Sequence, residues 1–175
     1  EAKIINSVFD LQSKTVANLL EHVNSFDNVA MISLDEQMDY ELMDRILRWG
    51  FSRIPVYSGR RSNIVGFLLV KEHLKLDPDD ATPLAQLRLR TPCAVHPSAS
   101  IFDLLNLFQL GRSHLAVISE DAEILQRCWA TGAEAPLDVR ILGICTIEDV
   151  IEGMIGEEVM DETDAAHGFT PSGRT

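Results

Sequence analysis

Long apolar runs are missing from this chain. None reaches the roughly 18–20 residues that a membrane-crossing helix requires, and nothing at the start reads as a secretory leader. Positive charge is also scarce. Fifteen Lys and Arg face 27 Asp and Glu, for a net charge of −12. A nucleic-acid partner needs a basic face and is excluded on this ground. Tight contact with anionic lipid is disfavoured for the same reason. A nucleotide is still permitted, because a few placed cations and backbone N–H groups suffice to hold phosphate. Such an acidic chain favours a nucleotide that arrives with a cation such as Mg²⁺.

Cysteine is sparse too. Cys93, Cys128 and Cys145 are odd in number and form no C-x-x-C, so a disulfide framework or a zinc site is not expected, and a reducing compartment is. The five histidines (His22, His73, His96, His114 and His167) lack ligand spacing. Catalytic signatures are absent: no G-x-S-x-G, H-E-x-x-H, P-loop or G-x-G-x-x-G occurs. Asp77-Pro78-Asp79-Asp80 is rich in carboxylate, but with Thr82-Pro83 following it reads as a turn, a cap and a helix start rather than a catalytic cluster. The chain is therefore not expected to be an enzyme.

What is present is a repeat. Gly50-Phe51-Ser52-Arg53-Ile54-Pro55-Val56-Tyr57-Ser58 aligns with Gly111-Arg112-Ser113-His114-Leu115-Ala116-Val117-Ile118-Ser119. Asn63-Ile64-Val65-Gly66-Phe67-Leu68-Leu69-Val70 aligns with Arg140-Ile141-Leu142-Gly143-Ile144-Cys145-Thr146-Ile147. Ahead of the first glycine, Leu42, Met43, Ile46 and Leu47 recur at helical spacing after Asp39. Ahead of the second, Ile101, Leu104, Leu105 and Phe108 do so after Ser100. Ser100 with Asp103 reads as a capping pair, and Gly50 and Gly111 as left-handed helix ends. Asn106 and Gln109 should face solvent, and Met31, Met38 and Met43 should fill core.

The runs Ile54–Tyr57, Leu115–Ile118, Ile64–Val70 and Ile141–Ile147 are apolar almost throughout, as in sheets covered by helices. Each copy reads β-α-β-β-α. The fold class is α/β (α+β): two small repeats packed by their sheets about a pseudo-twofold axis, since one copy alone buries too little.

The expected boundaries are an N-terminal helical lead-in over 1–25, a first repeat over 26–76, an inter-repeat helix and linker over 77–92, a second repeat over 93–156, and an acidic segment with a loose tail over 157–175. Ile4, Ile5, Val8, Phe9, Val16, Leu19 and Leu20 mark the lead-in. Ile151, Met154 and Ile155 run the last helix into the acidic stretch Glu157–Asp164. The chain begins mid-pattern without Met, as a segment of a longer protein would. The copies differ between their last two strands, where Ser119 to Ile141 is sixteen residues longer than Ser58 to Ile64. Within that loop (119–140) Trp129 is a candidate partner anchor. A loop folded back as a lid or hairpin is the alternative.

The clearest local signal for chemistry is Gly143-Ile144-Cys145-Thr146-Ile147-Glu148-Asp149. A strand ends and a helix begins there, so the Thr146 hydroxyl and free N–H groups could stabilise a phosphate, and Asp149 could accept from a ribose diol. T-x-x-[DE] is also a plain capping box that binds nothing. A pseudo-twofold pair would bring the Phe51-Ser52-Arg53 turn of the first copy to this corner. There Arg53 could meet phosphate and Phe51 an adenine ring; a surface salt bridge is the plainer use of Arg53. The equivalent corner of the first copy is eroded, with Leu69 in place of the hydroxyl and Glu72 in place of the aspartate. One nucleotide site per chain is expected.

With these residues in view, the two copies resemble CBS domains, whose tandem pairs are called Bateman modules. More closely they resemble the pair found in CNNM (cyclin M, ancient conserved domain) proteins and their bacterial CorC relatives. The likeness rests on Gly50–Tyr57, Arg61–Gly66, Leu76–Asp80, Gly111–Val117, Gly143–Glu152 and Glu158–Asp164, and spans about residues 10–164. It implies a module on the cytosolic side of a membrane, beneath a transmembrane domain involved in transport of Mg²⁺ or another divalent cation. It also implies bound ATP with Mg²⁺ and a disc-shaped homodimer. By this resemblance Phe51, Ser52, Arg53, Pro55, Ile144, Thr146 and Asp149 are the nucleotide-site residues. No residue is assigned to metal except through ATP phosphates. Two departures stand out. Leu19-Leu20-Glu21-His22 replaces the family's usual Met-Thr-Pro near the base. The loop Asp through which some animal members bind a phosphatase of the regenerating-liver (PRL) type has only Glu134 or Asp138 as counterparts.

Overall fold

A computed structural model describes residues 14–152 apart from 22, 24, 111 and 112. The helix-end reading of Gly111, the outer part of the lead-in and the acidic segment with its tail lie outside the described residues.

Each repeat is built on a three-stranded sheet. In the first, β1 (Ile32–Ser33) leads through α2 (Tyr40–Trp49) to β3 (Arg53–Tyr57), which turns back into β4 (Ile64–Leu69). In the second, β6 (Cys93–Val95) leads through α3 (Ile101–Gln109) to β7 (Leu115–Ser119) and β8 (Ile141–Thr146). The sheet orders are β1-β3-β4 and β6-β7-β8. In both, the first pair is parallel and the second antiparallel. A short ribbon of β2 (Gln37–Met38) with β5 (Thr82–Pro83) and a helix α1 (Val16–Leu19) complete the frame.

Local chemistry sets the helix limits. The Asp39 carboxylate accepts from Leu42 N at 2.9 Å and opens α2; Gly50, at φ +69°, closes it where a side chain would be strained. Ser100 accepts from Asp103 N at 3.0 Å and donates to the Asp103 carboxylate at 2.7 Å, the expected capping pair. Met31 is buried in the cluster between the sheets, and Met38 in that of the first repeat, on which Met43 packs; Asn106 and Gln109 are exposed.

Three apolar clusters divide the interior. One belongs to the first repeat (Ile32, Leu42, Ile54, Leu68), one to the second with α1 (Val16, Ile101, Leu104, Phe108). The third joins the sheets, with Ile64 and Phe67 against Leu115, Val117 and Ile144. Backbone pairing crosses the same way. Ser25, entering the first repeat, bridges Gly143 of the second, while Arg90, entering the second, bridges Phe67 of the first. Each sheet is thus bridged by the segment that leads into the other repeat.

Four expectations need correction. The first repeat ends not in an α-helix but in a single 3-10 turn, Val70–Glu72, because Leu69 offers no side-chain acceptor to cap one. Thr82-Pro83 is a strand, and the inter-repeat helix is reduced to the single 3-10 turns Pro78–Asp80 and Leu84–Gln86. The long loop is no lid: it holds a three-turn helix, α4 (Ala122–Thr131), closed by Gly132 at φ +71°. Finally, the glycine-anchored alignment slips by one at the strands. The caps Asp39 and Ser100 stand 61 residues apart, yet the residues facing the matched strand ends Leu69 and Thr146 are Arg53 and Leu115, 62 apart. The second repeat spends one more residue between helix and strand, so His114 sits just ahead of Arg53's equivalent.

Candidate functional site

Strand β8 ends at Thr146, and a helix, α5 (147–152), begins. Asp149 Oδ2 accepts from Thr146 N at 2.6 Å and from the Thr146 hydroxyl at 2.9 Å; the hydroxyl oxygen accepts from Asp149 N at 3.4 Å. This is the capping arrangement, and it occupies one carboxylate oxygen of Asp149.

Arg53 begins β3 of the first repeat and reaches across to this corner. Its Nη1 donates to Glu148 Oε1 at 3.2 Å, and its Nη2 stands 3.2 Å from His114 Nδ1. Guanidinium can only donate, so His114 Nδ1 is the acceptor in this contact. The Arg53 side chain is only 18% exposed, while Glu148 is 58% exposed. Desolvation acts to raise the Glu148 carboxyl, but its own backbone N–H, the Thr146 hydroxyl and Arg53 together outweigh it and hold it below the ordinary glutamate value.

Around Arg53 lies a concavity of about 220 Å³, lined also by Phe67, Leu69, Lys71, Arg90, Ser113 and His114; of the expected nucleotide-site residues only Arg53 lines it, so it opens beside the Leu69 end of β4 rather than over Thr146 and Asp149. It gathers Arg53, Lys71 and Arg90, of which Arg53 is paired with Glu148 and Arg90 with Glu72, so a phosphate there would compete with two carboxylates. Arg90 is held by the Glu72 carboxylate, which lies below its usual value through that hydrogen bond. Phe51 is 51% exposed and Ser52 is exposed at the mouth of the turn; Pro55 and Ile144 are buried in the strands beneath. The turn and the Thr146 corner are thus brought together by Arg53. Sequence reading missed Glu148, which stands inside the motif, because nothing in its spacing says which cation it will meet.

No family model matches the chain. A yeast protein, MAM3 of Saccharomyces cerevisiae, is 35% identical over 165 residues, 94% of this chain. A DUF21 domain-containing protein of Arabidopsis thaliana is 28% identical over 94% of this chain. Among solved structures, the CBS domain of a bacterial CNNM/CorC family Mg²⁺ transporter in complex with ATP superposes with a TM-score of 0.65, at 20% identity, over 87% of this chain and 94% of that one. A hemolysin-like CBS protein of Oenococcus oeni superposes at 0.61, at 17% identity, over 87% and 98%. The chain is a relative of MAM3 and has the fold of these CBS domains. It spans 21% of the length of MAM3 and 44% of the Arabidopsis protein.

Within this CBS pair the remaining candidates separate. Trp129 is on α4, not in a loop, and is turned inward: its indole N–H donates to the Ile64 carbonyl at 2.6 Å, and its ring packs on the shared core. As a partner anchor it is withdrawn. It fastens the second repeat's insertion to the first repeat. Arg60 donates to the Ala135 carbonyl, and Ala135 N donates to Asn63 Oδ1 at 3.0 Å across the same seam. Glu134 and Asp138 are exposed, on a segment whose Leu137 is 85% exposed.

Proposed function

We propose that this CBS pair is a regulatory module without chemistry of its own, binding adenine nucleotide as Mg·ATP between its repeats and dimerising to control a membrane transporter of Mg²⁺ or a related divalent cation. The observation that carries the reading is Arg53 of the first repeat lying against Glu148, one residue before Asp149 of the second. A triphosphate entering the Arg53 concavity draws Arg53 off Glu148 and gains a charge-assisted pair in its place. The free Oδ1 of Asp149 is left to accept from the ribose, and half-exposed Phe51 to cover the base. Mg²⁺ enters on the phosphates and relieves their repulsion from an acidic chain. Bound nucleotide then shifts the module between shapes only by its difference in affinity for them. Tyr40 and Leu47 are both exposed on α2, seven residues apart and so on one face, and suit a twofold contact with a second copy. That a solved CBS domain of the same fold holds ATP supports the assignment.

Two of these features also support a second reading. With Thr146 and Asp149 satisfying each other, and Arg53 already paired, the corner can serve as a lock between repeats in a nucleotide-free docking module. The exposed Glu134–Asp138 segment would then receive a protein such as a phosphatase of the PRL type.

Thermal unfolding with ATP, with and without Mg²⁺, separates the two. Ligand at a hundred times its dissociation constant stabilises by about 2.7 kcal/mol. A magnesium-dependent rise in Tm that is lost in Arg53→Ala and Asp149→Ala, each compared with its own ligand-free Tm, is the expected result. No rise in any protein at millimolar ATP would leave the lock as the better account.

A further inference from the structure

A second and larger cleft lies away from the Thr146 corner. Its walls are the linker that enters the second repeat, the end of α3 and the inner side of α4. It encloses about 650 Å³, within the range of small-molecule sites. Its chemistry is divided. Arg88 and Arg90 stand on the linker side, while Leu107, Leu110 and Trp129 supply apolar surface and Gln126 an amide. No carboxylate lines it among the described residues, although acidic residues outnumber basic ones 27 to 15 in the chain.

Each part is held ready. Arg90 is oriented by Glu72, whose carboxylate oxygens accept from its Nε at 3.3 Å and from its Nη2. Trp129 is fixed by the Ile64 carbonyl. Gln126 donates to the Ala94 carbonyl at 2.8 Å, which leaves its amide oxygen as an acceptor. Arg88 is exposed and makes no ion pair among the described residues, although its charge acts on the Glu72 carboxylate, and Leu110, at the mouth, is exposed to water. An exposed guanidinium with no salt bridge among the described residues, beside an apolar wall built on a tethered indole, is arranged for a ligand with two different ends.

We propose that this cleft binds a small amphipathic anion: a planar or short aliphatic group against Trp129, Leu107 and Leu110, carrying one carboxylate, phosphate or sulfonate toward Arg88 and Arg90. The cleft adjoins the Arg53 concavity, with which it shares Arg90 and Ser113, but it takes in no residue of the Thr146 corner, and the proposal does not rest on the nucleotide reading. It exists because of the insertion: α4 supplies one wall, and the first repeat, whose equivalent turn is sixteen residues shorter, has no such helix. A ligand there ties the linker to α4, the two segments that already join the repeats.

The chain has two tryptophans, so Trp49→Phe leaves Trp129 as the sole indole. In that background, titration with 8-anilinonaphthalene-1-sulfonate should quench Trp129 with saturation at one probe per chain. Arg88→Glu reverses an exposed charge and should weaken the probe at least tenfold with the circular dichroism spectrum unchanged. Leu110→Asp should do the same. Phenyl phosphate should compete with the probe, and ATP should not, in wild type or in Asp149→Ala. Equal probe affinity in Arg88→Glu, or binding that leaves Trp129 emission unchanged, would overturn the proposal. Displacement by ATP in the Asp149→Ala background would also overturn it, by making the cleft the nucleotide's own seat.

Discussion

The two repeats finish their last strands on matched backbones with unmatched chemistry. At the end of β8, Thr146 and Asp149 cap a helix and Glu148 holds Arg53. At the end of β4, Leu69 caps nothing, the chain makes one 3-10 turn, and Glu72 holds Arg90. In each case a glutamate just past the strand pairs with an arginine from outside its own repeat, Arg53 of the first repeat at Glu148 and Arg90 of the linker at Glu72. The ion pair thus survives in both corners, and only the hydroxyl–carboxylate cap is confined to one. Tying the glutamate past a strand to a cation from outside its repeat and capping a helix start are separable properties, and this chain keeps the first twice and the second once.

The comparison is broken most severely at the insertion, which only the second repeat has. Trp129→Ala removes a large packed ring and orphans the Ile64 carbonyl. A loss of about 3 kcal/mol is expected, at the lower end for an aromatic cut from a core because the ring is only partly buried. Trp129→Phe keeps most of the packing and should cost about 1 kcal/mol for the hydrogen bond. Urea midpoints of the two variants measure this. Equal, small losses would mean that the insertion does not fasten the repeats.

The next effect concerns the first repeat alone. A Cβ on Gly66 would stand 3.0 Å from the Arg90 carbonyl oxygen and 3.0 Å from Leu89 Cβ. The linker backbone must shift, and the paired N–H and C=O groups of Phe67 and Arg90 with it. Gly66→Ala should destabilise by about 1–2 kcal/mol. Amide exchange should report it as faster exchange at Phe67 and Arg90, with the second sheet unaffected.

These features differ in how far sequence could show them. The repeats, their helices and the Ser100–Asp103 cap were legible, because period and capping chemistry are local. So was the meeting of the Arg53 turn with the Thr146 corner, since it follows from the repeat. The helix in the insertion was not, although Ala122, Leu125, Trp129 and the closing Gly132 carry a weak helical pattern, because length alone suggested a loop. Nor was the inward turn of Trp129: its partner, the Ile64 carbonyl, is a backbone atom 65 residues away and leaves no mark in side-chain identity. The one-residue slip between helix and strand was hidden because the glycine that anchored the alignment does not report strand register.

The cap itself can be exchanged between repeats. Thr146→Leu imports the first repeat's residue and should cost about 1 kcal/mol, with loss of helical signal by circular dichroism. Leu69→Thr with Glu72→Asp carries the cap the other way. It should lengthen the Val70–Glu72 turn toward an α-helix and gain a few tenths of a kcal/mol, less whatever the shortened carboxylate loses at Arg90. No gain in helical signal would mean that the chain beyond Glu72, with Pro78 close behind, sets the turn and not the cap.

The smallest effect is the most informative about function. Glu148 lies below its ordinary value in the folded chain. Its contribution is therefore present above the unfolded glutamate pKa and is lost as pH falls through the folded one. Because Glu148 is more than half exposed, screening keeps that contribution below about 1 kcal/mol. Glu148→Gln should lower the urea midpoint slightly at neutral pH and not at all once the carboxyl is protonated. The same substitution frees Arg53. If Arg53 exchanges Glu148 for phosphate, Glu148→Gln tightens ATP several-fold while weakening the fold, two opposite signs from one change. If the corner is only a lock, the fold weakens and no nucleotide response appears, and Arg53 has the same purely structural standing as Arg90 on Glu72.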